Sequence, residues 1–369
     1  MLPWKACEVG DEVHEIDTPA LILDLDVFER NLNRMAQETR RVRLRPHAKS
    51  HKCPEIALRQ LQAGAVGICC QTLSEAAVFA QAGVKDILVT NQLVGARKLS
   101  HVRALAESVR LGVLVDDEDH VQALSRVMVG SQTELDVYVE LDVGAGRCGC
   151  SVEMAVILAR QIHALDGIRF AGLHAYHGAA QHLRTPRERA AAIKFASSRV
   201  RQAIQQIEAV GMSVPIVTGA GTGTFWLERD SGVYQEVQPG SYVFMDRDYA
   251  DNEMGLGDVR FEHALFVLTT VQSIAQKRIA VVDAGLKASS TDSGMPSVWG
   301  RPELQYVKAS DEHGIVQSKN DDLQLSLGEQ LLLIPGHCDP TVNLYDELIV
   351  VKEGRVHAIW PILARGAGL

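Results

Sequence analysis

The chain has 369 residues, 46% of them hydrophobic and 22% charged, and a formal net charge of −9. It is long enough for one large domain with an appendage, and its acidic balance with scattered Lys and Arg argues against nucleic acid or an anionic membrane as partner. No run of about 18 apolar residues marks a membrane span, and the opening MLPWKACEVGDEVHE lacks the basic and apolar regions of a secretion signal, so a cytoplasmic protein is expected. Seven cysteines, an odd number that includes the adjacent Cys69-Cys70, suit a reducing compartment rather than a disulfide framework.

The first β-type run, TPALILDLD, precedes a helical pattern and fits either of two domains. From residue 42 to about 246, eight β runs follow: VRLRPH, AVGICC, DILVT, LGVLVD, LDVYVELDV, FAGLHAYH, PIVTG and EVQPGSYVFMD. They alternate with amphipathic segments such as CPEIALRQLQAG and TPRERAAAIKFASSRVRQAIQQIEAVG, several ending in glycine as a helix C-terminus does. The runs are mostly apolar, as parallel strands buried on both sides are, so an α/β (β/α)8 TIM barrel is expected. After about residue 255 the runs ALFVLTTVQSI, RIAVVDAGL, LQYVKAS, GIVQSK, QLLLIPG and ELIVVKEGRVHAIWPI succeed one another without helices, the last with a turn at Glu353-Gly354. This predicts an antiparallel β domain over 256–369 behind a barrel over 1–255, with the N-terminal run able to join either.

Active sites of such barrels lie at the C-terminal ends of the strands. Those ends are polar here: RPHAKSHK carries Lys49, GAGRCGC carries Arg147, HAYHGAAQH carries Tyr176, His177 and His182, and TGAGTGT is a glycine-rich loop. Taken singly, each has an ordinary reading as a solvated lysine, a hydrogen-bonded structural ring or a tight βα turn. Together, a lysine able to form a Schiff base, a phosphate cradle and an arginine are what a pyridoxal phosphate enzyme requires.

The stretches RPHAKSHKCPEIALRQ, ELDVGAGRCG, AYHGAAQH, PGSYVFMD and PGHCDPTVNLYD make the reading specific. The chain resembles the fold-type III, alanine racemase-like pyridoxal phosphate family, in its D-threonine aldolase and D-serine dehydratase branch, over nearly its whole length. The resemblance implies that Lys49, rather than the competing Lys52, carries the cofactor, and that Arg147 faces the pyridine nitrogen. It also implies that Gly221, Thr222, Gly223 and Tyr242 lie near the phosphate, with Gln71 and Tyr176 as further cofactor contacts. A guanidinium stays charged at working pH and donates a hydrogen bond but no proton, leaving the ring a weaker electron sink. Bond breaking at Cα then needs help, which a metal can supply.

The candidate metal site is IPGHCDPT. If the segment is extended, residues 337 and 339 share one face and residue 338 the other, so His337 and Asp339 hold one ion while Cys338 faces away. The branch pattern agrees, with His-x-Asp in aldolases and His-x-Cys in dehydratases. A mixed N/O pair suits Mn²⁺ foremost, and also Mg²⁺, Co²⁺ or Zn²⁺. The rival set His47, His51 and Cys53 flanks the lysine and is read as positioning. In the expected reaction the substrate β-hydroxyl gives its proton to a histidine, His182 by resemblance with His177 as fallback, and the Cα–Cβ bond breaks. The expected activity is therefore an aldolase of D-3-hydroxy-α-amino acids in a homodimer. The alternatives are a dehydratase of D-serine or 3-hydroxyaspartate and a non-catalytic cofactor-binding protein.

Overall fold

The computed structural model describes residues 5–320 and 322–368. Strand β1 (Ala20–Asp24) leads into the helix Leu25–Glu38, whose first turn is capped where the Asp24 carboxylate accepts the Val27 N–H at 3.0 Å. Eight strands then alternate with helices: β2 (Arg43–Leu44), β3 (Ile68–Cys70), β4 (Asp86–Gln92), β5 (Arg110–Val115), β6 (Leu135–Glu140), β7 (Ile168–Ala175), β8 (Val217–Gly219) and β9 (Glu236–Val237). They form one parallel row in the order β2-β9-β8-β7-β6-β5-β4-β3. The row closes because the chain after β2 reaches β3: His47 bridges Cys69, whose N–H donates to Pro46 O at 2.8 Å. The fold is the TIM-like barrel expected from the eight runs.

Pleating sends alternate strand residues in opposite directions. Ile87, Val89, Val113, Val115, Val137 and Val139 face the helical shell and join Phe79, Leu124 and Leu158 in one apolar core. The residues between them, Leu88, Leu114 and Tyr138, meet Cys69, Ala171 and Ile216 inside the barrel. Further toward the C-terminal ends the inward positions turn polar and stay buried, with Thr90 on β4, Glu140 on β6, His174 on β7 and Thr218 on β8. This change of chemistry along the interior makes a polar floor for a site at that end.

The second sheet holds β10 (Leu265–Gln276), β11 (Ile279–Val282), β12 (Ser297–Val298), β13 (Leu304–Ala309), β14 (Gly314–Ser318), β15 (Gln330–Ile334), β16 (Glu347–Lys352) and β17 (Arg355–Pro361). β1 lies within it, antiparallel to β10 and parallel to β16. Leu21 and Leu23 of β1 join the core shared with Phe28 of the following helix, while Ala20 and Ile22 face a smaller cluster on the opposite side. The β16–β17 hairpin turns at Glu353-Gly354, where φ is +50° and +76°. Positive φ at both central residues marks the turn whose twist matches the strands. Among the described residues no helix is long and apolar enough to cross a membrane.

Candidate active site

A cavity opens at the C-terminal end of the barrel, and Lys49, Gln71, Arg147, Tyr176, Gly221 and Thr222 line it. Each strand that contributes places its residues just past its own end: Lys49 follows β2, Gln71 follows β3, Arg147 follows β6, Tyr176 follows β7, and Gly221 and Thr222 follow β8. The floor is a set of side chains that the motifs did not single out for the cofactor. His47 Nε2 lies 2.8 Å from Thr90 Oγ1, and His174 Nε2 lies 3.1 Å from Gln238 Oε1. Their signal was a polar residue at the inward parity of an otherwise apolar strand.

Lys49 sits in the single turn Ala48–Ser50, held by Ser50 Oγ donating to His47 O at 3.0 Å. Its ammonium is ion-paired with the Asp339 carboxylate. Burial pulls the ammonium pKa down, but the Asp339 charge and hydrogen bond together with Tyr176 more than offset it and leave Lys49 raised. Asp339 shows the mirror image: burial raises it, and Lys49 followed by His337 hold it well below the usual carboxylate range. Lys52 is directed elsewhere, into an ion pair with the buried Glu75, which also accepts the Gln71 N–H at 2.7 Å. The rival metal set disperses: His47 turns to Thr90, and His51 Nδ1 accepts the Cys53 N–H at 3.1 Å.

At the glycine-rich loop Thr222 Oγ1 is buried with no hydrogen-bond partner among the described residues. Close approach makes the glycines necessary. A Cβ on Gly221 would lie 2.6 Å from Gln181 Oε1, and one on Gly240 would lie 2.6 Å from His47 O. Gly240 and Ser241 also line the cavity. Tyr242 faces the core instead, its hydroxyl accepting from Gln60 Nε2 at 3.2 Å and its ring 5.5 Å from that of Phe261. Gly223 lines an adjoining cavity that shares Thr222 and Tyr249 with this one, and its N–H donates to Gln181 Oε1 at 2.8 Å.

The segment after β15 departs from the extended geometry expected of it. Cys338–Val342 is a short helix with His337 as its N-cap. Pro335-Gly336 ends the strand, and Asp339 and Pro340 occupy a first turn, where a missing N–H costs nothing. His337 Nε2 and Asp339 Oδ2 nonetheless converge to 4.0 Å. The helical start does not turn Cys338 away: its Sγ lies 3.4 Å from Asp339 Oδ1, in one cluster with Asp246 and His337. Burial raises that thiol well above its ordinary pKa.

Asp246 and Asp248, two residues apart, orient two histidines. Asp246 Oδ2 lies 2.8 Å from His337 Nδ1 and also accepts the Cys338 N–H at 2.9 Å. Asp248 Oδ2 lies 2.5 Å from His182 Nδ1. With Nδ1–H donated to a carboxylate, Nε2 is the position each ring offers to a cation or a proton, and Asp246 and Asp339 overcome burial to raise the His337 pKa to about 9. Tyr249 packs near both, its ring centre 6.2 Å from that of His182 and 6.4 Å from that of His337. The Arg247 and Asp248 N–H groups donate to Pro335 O and Gly336 O, each at 3.1 Å, which docks this loop on the His337 segment. His177 lies buried at the start of the turn Gly178–His182, outside the cavity lining, and burial lowers its pKa. Motif reading missed Asp246, Asp248, Ser241 and Tyr249, although MDRDY carries acidic residues just past the last barrel strand.

An amine, a guanidinium and a buried orphan hydroxyl between two glycine turns fit pyridoxal phosphate, and a buttressed imidazole with a carboxylate fits a divalent cation. Comparison with known proteins agrees. The family described as "Alanine racemase, N-terminal domain" matches residues 23–248, and "Putative serine dehydratase domain" matches residues 264–351. The chain is similar to a D-threonine aldolase of Arthrobacter sp, with 46% identity over 97% of this chain and 95% of that protein. It is also similar to a 3-hydroxy-D-aspartate aldolase of Paracoccus denitrificans, with 43% identity over 97% and 95%. The crystal structure of D-threonine aldolase from Filomicrobium marinum superimposes with a TM-score of 0.97 at 46% identity, covering 99% of this chain and 100% of that one.

Proposed function

The chain belongs to the alanine racemase-like, fold-type III family, and from that premise we infer that it is a carbon–carbon lyase, an aldolase of D-3-hydroxy-α-amino acids. A substrate of the D-threonine type would be cleaved to glycine and an aldehyde. The observation that carries this reading is the pair of carboxylate-oriented histidines, each with its ring near that of Tyr249, together with the Lys49–Asp339 pair.

Pyridoxal phosphate, which the family supports, supplies when bound a carbonyl for an amine and an electron sink for charge developing at Cα. Lys49 would hold its carbonyl end, Thr222 with Gly221 and Ser241 its phosphate end, and Arg147, Tyr176 and Gln71 the ring between them. His337 and Asp339 would hold a divalent cation, Mn²⁺ by its fit to N/O ligands, which lowers the pKa of a hydroxyl beside it. His182 takes the β-hydroxyl proton at Nε2, because Asp248 occupies Nδ1 and stabilises the imidazolium that results. Arg147 donates without surrendering a proton, so cleavage depends on removing the hydroxyl proton rather than on a strongly withdrawing ring. The burial of Asp246 and Asp248 keeps water from competing for the two Nδ1–H groups.

The test is to incubate the protein with D-threonine, with and without a chelator. Acetaldehyde and glycine that vanish on chelation are expected; 2-oxobutanoate would instead establish a dehydratase. Seven free cysteines, six of them buried, support a reducing, cytoplasmic setting. The homodimer is carried by the resemblance and is checked by light scattering.

A further inference from the structure

We propose that Gln181 is a positioning residue that couples the phosphate end of the cavity to the turn bearing His182; only its kinetic readout rests on the aldolase reading. Gln181 is buried, and both ends of its amide are engaged. Its Oε1 accepts the Gly223 N–H at 2.8 Å, while its Nε2 donates to Thr224 Oγ1 at 2.8 Å and to His177 O at 3.3 Å. The orientation is forced. A backbone N–H can only donate, so the amide oxygen faces Gly223 and the NH₂ faces Thr224. The Thr224 hydroxyl, which accepts from Gln181, must pass its own proton onward, and it does so to Glu228 Oε1 at 2.9 Å.

The path also runs the other way. Asn252 Nδ2 donates to Gln181 O at 2.9 Å, and Asn252 Oδ1 accepts from Arg184 at 2.9 Å. The same guanidinium donates to Asp248 Oδ1 at 2.5 Å, and Asp248 orients His182. Hydrogen bonds thus run from Glu228 through Thr224 to the Gln181 amide, and from the Gln181 main-chain carbonyl through Asn252, Arg184 and Asp248 to His182, so the two runs meet only through the Gln181 residue itself, whose side chain pins it to the loop. Steric contact reinforces it, because any Cβ on Gly221 or Gly223 would meet Gln181 atoms at 2.6 or 3.0 Å. The loop and the turn cannot move independently while Gln181 lies between them.

The test uses Gln181→Met, which keeps the volume and removes both polar ends. The apoprotein is titrated with pyridoxal phosphate and followed by absorbance, the imidazole pKa of His182 is read by NMR, and kcat and KM for D-threonine are measured at saturating cofactor. The expected result is about a tenfold weaker cofactor Kd together with a shifted His182 pKa and about a tenfold lower kcat, with KM within twofold. Weaker binding with an unmoved His182, or the reverse, would overturn the coupling, as would no change in either. If Gln181→Met does not fold, Thr224→Val and Thr224→Ser decide: a weaker Kd and moved His182 pKa in the valine variant alone support the chain, and equal behaviour of the two sinks it. Absence of D-threonine cleavage by the wild type would count against the aldolase reading alone, because the binding and NMR readouts need no substrate.

Discussion

Glu228 shows how far burial alone can move a side chain. It is enclosed, its Oε2 has no hydrogen-bond partner among the described residues, and its ionisable neighbours are Tyr234 and Tyr176. Burial raises its pKa from 4.5 to about 7, against the opposing donation from Thr224. Below pH 4.5 the group is protonated whether folded or unfolded, so its contribution is constant there. As pH rises from 4.5 through 7 the unfolded chain releases the proton first, and stability falls by an amount on the order of 3 kcal/mol. Glu228→Gln, a neutral isostere, removes this loss: its melting temperature relative to wild type should be higher at pH 8 than at pH 5. Parallel melting curves at the two pH values would show that Glu228 does not titrate in this way. The same residue scale separates the two lysines of HAKSHK. Their spacing and chemistry are alike, and what distinguishes them is a partner, Asp339 for Lys49 and Glu75 for Lys52.

Among elements, β1 is the one whose place the sequence left open. Its alternation of Leu21 and Leu23 against Ala20 and Ile22 suits any strand buried on both faces, and pairing with β10 and β16 puts it in the interior of the C-terminal sheet. Leu23 is 0% exposed. Leu23→Ala should therefore destabilise the protein by about 2–5 kcal/mol in urea unfolding; a loss under about 1 kcal/mol would mean that this strand contributes little to the core. The long barrel runs and the Glu353-Gly354 turn were legible because each repeats or punctuates a local rule. Others were not: in EVQPGSYVFMD only Glu236–Val237 is strand, and Ser241–Val243 within it and Arg247–Ala250 after it are helical turns. β12 spans only Ser297–Val298, too short for any periodicity to register. The helix Cys338–Val342 stands where extended geometry is expected after QLLLI, and Pro335-Gly336 and the Asp-Pro pair are its stop and start signals.

At the scale of the whole molecule the site joins parts of the chain from both sheets. The barrel supplies Lys49, Arg147, Tyr176 and Thr222, whereas His337 and Asp339 follow β15 of the second sheet. A ligand that binds only this folded arrangement stabilises all of it by mass action, about 2.7 kcal/mol at a hundred times its Kd. Pyridoxal phosphate should accordingly raise the melting temperature of barrel and β domain together, in one transition that climbs with cofactor concentration. Two transitions of which only one responds would show that the sheets unfold independently.

Sequence by itself determined the alternation of strands and helices, the glycine turns and the kinds of reactive group, since these follow from backbone geometry repeating over a few residues. Tertiary structure decided which groups meet. Lys49 and Asp339 are 290 residues apart and form one ion pair, and Tyr242 of a promising motif faces the core while its neighbour Ser241 faces the cavity. No local pattern encodes such meetings, because they depend on where barrel closure and the docking of one sheet on the other bring distant loops, through many weak contacts summed over the whole chain.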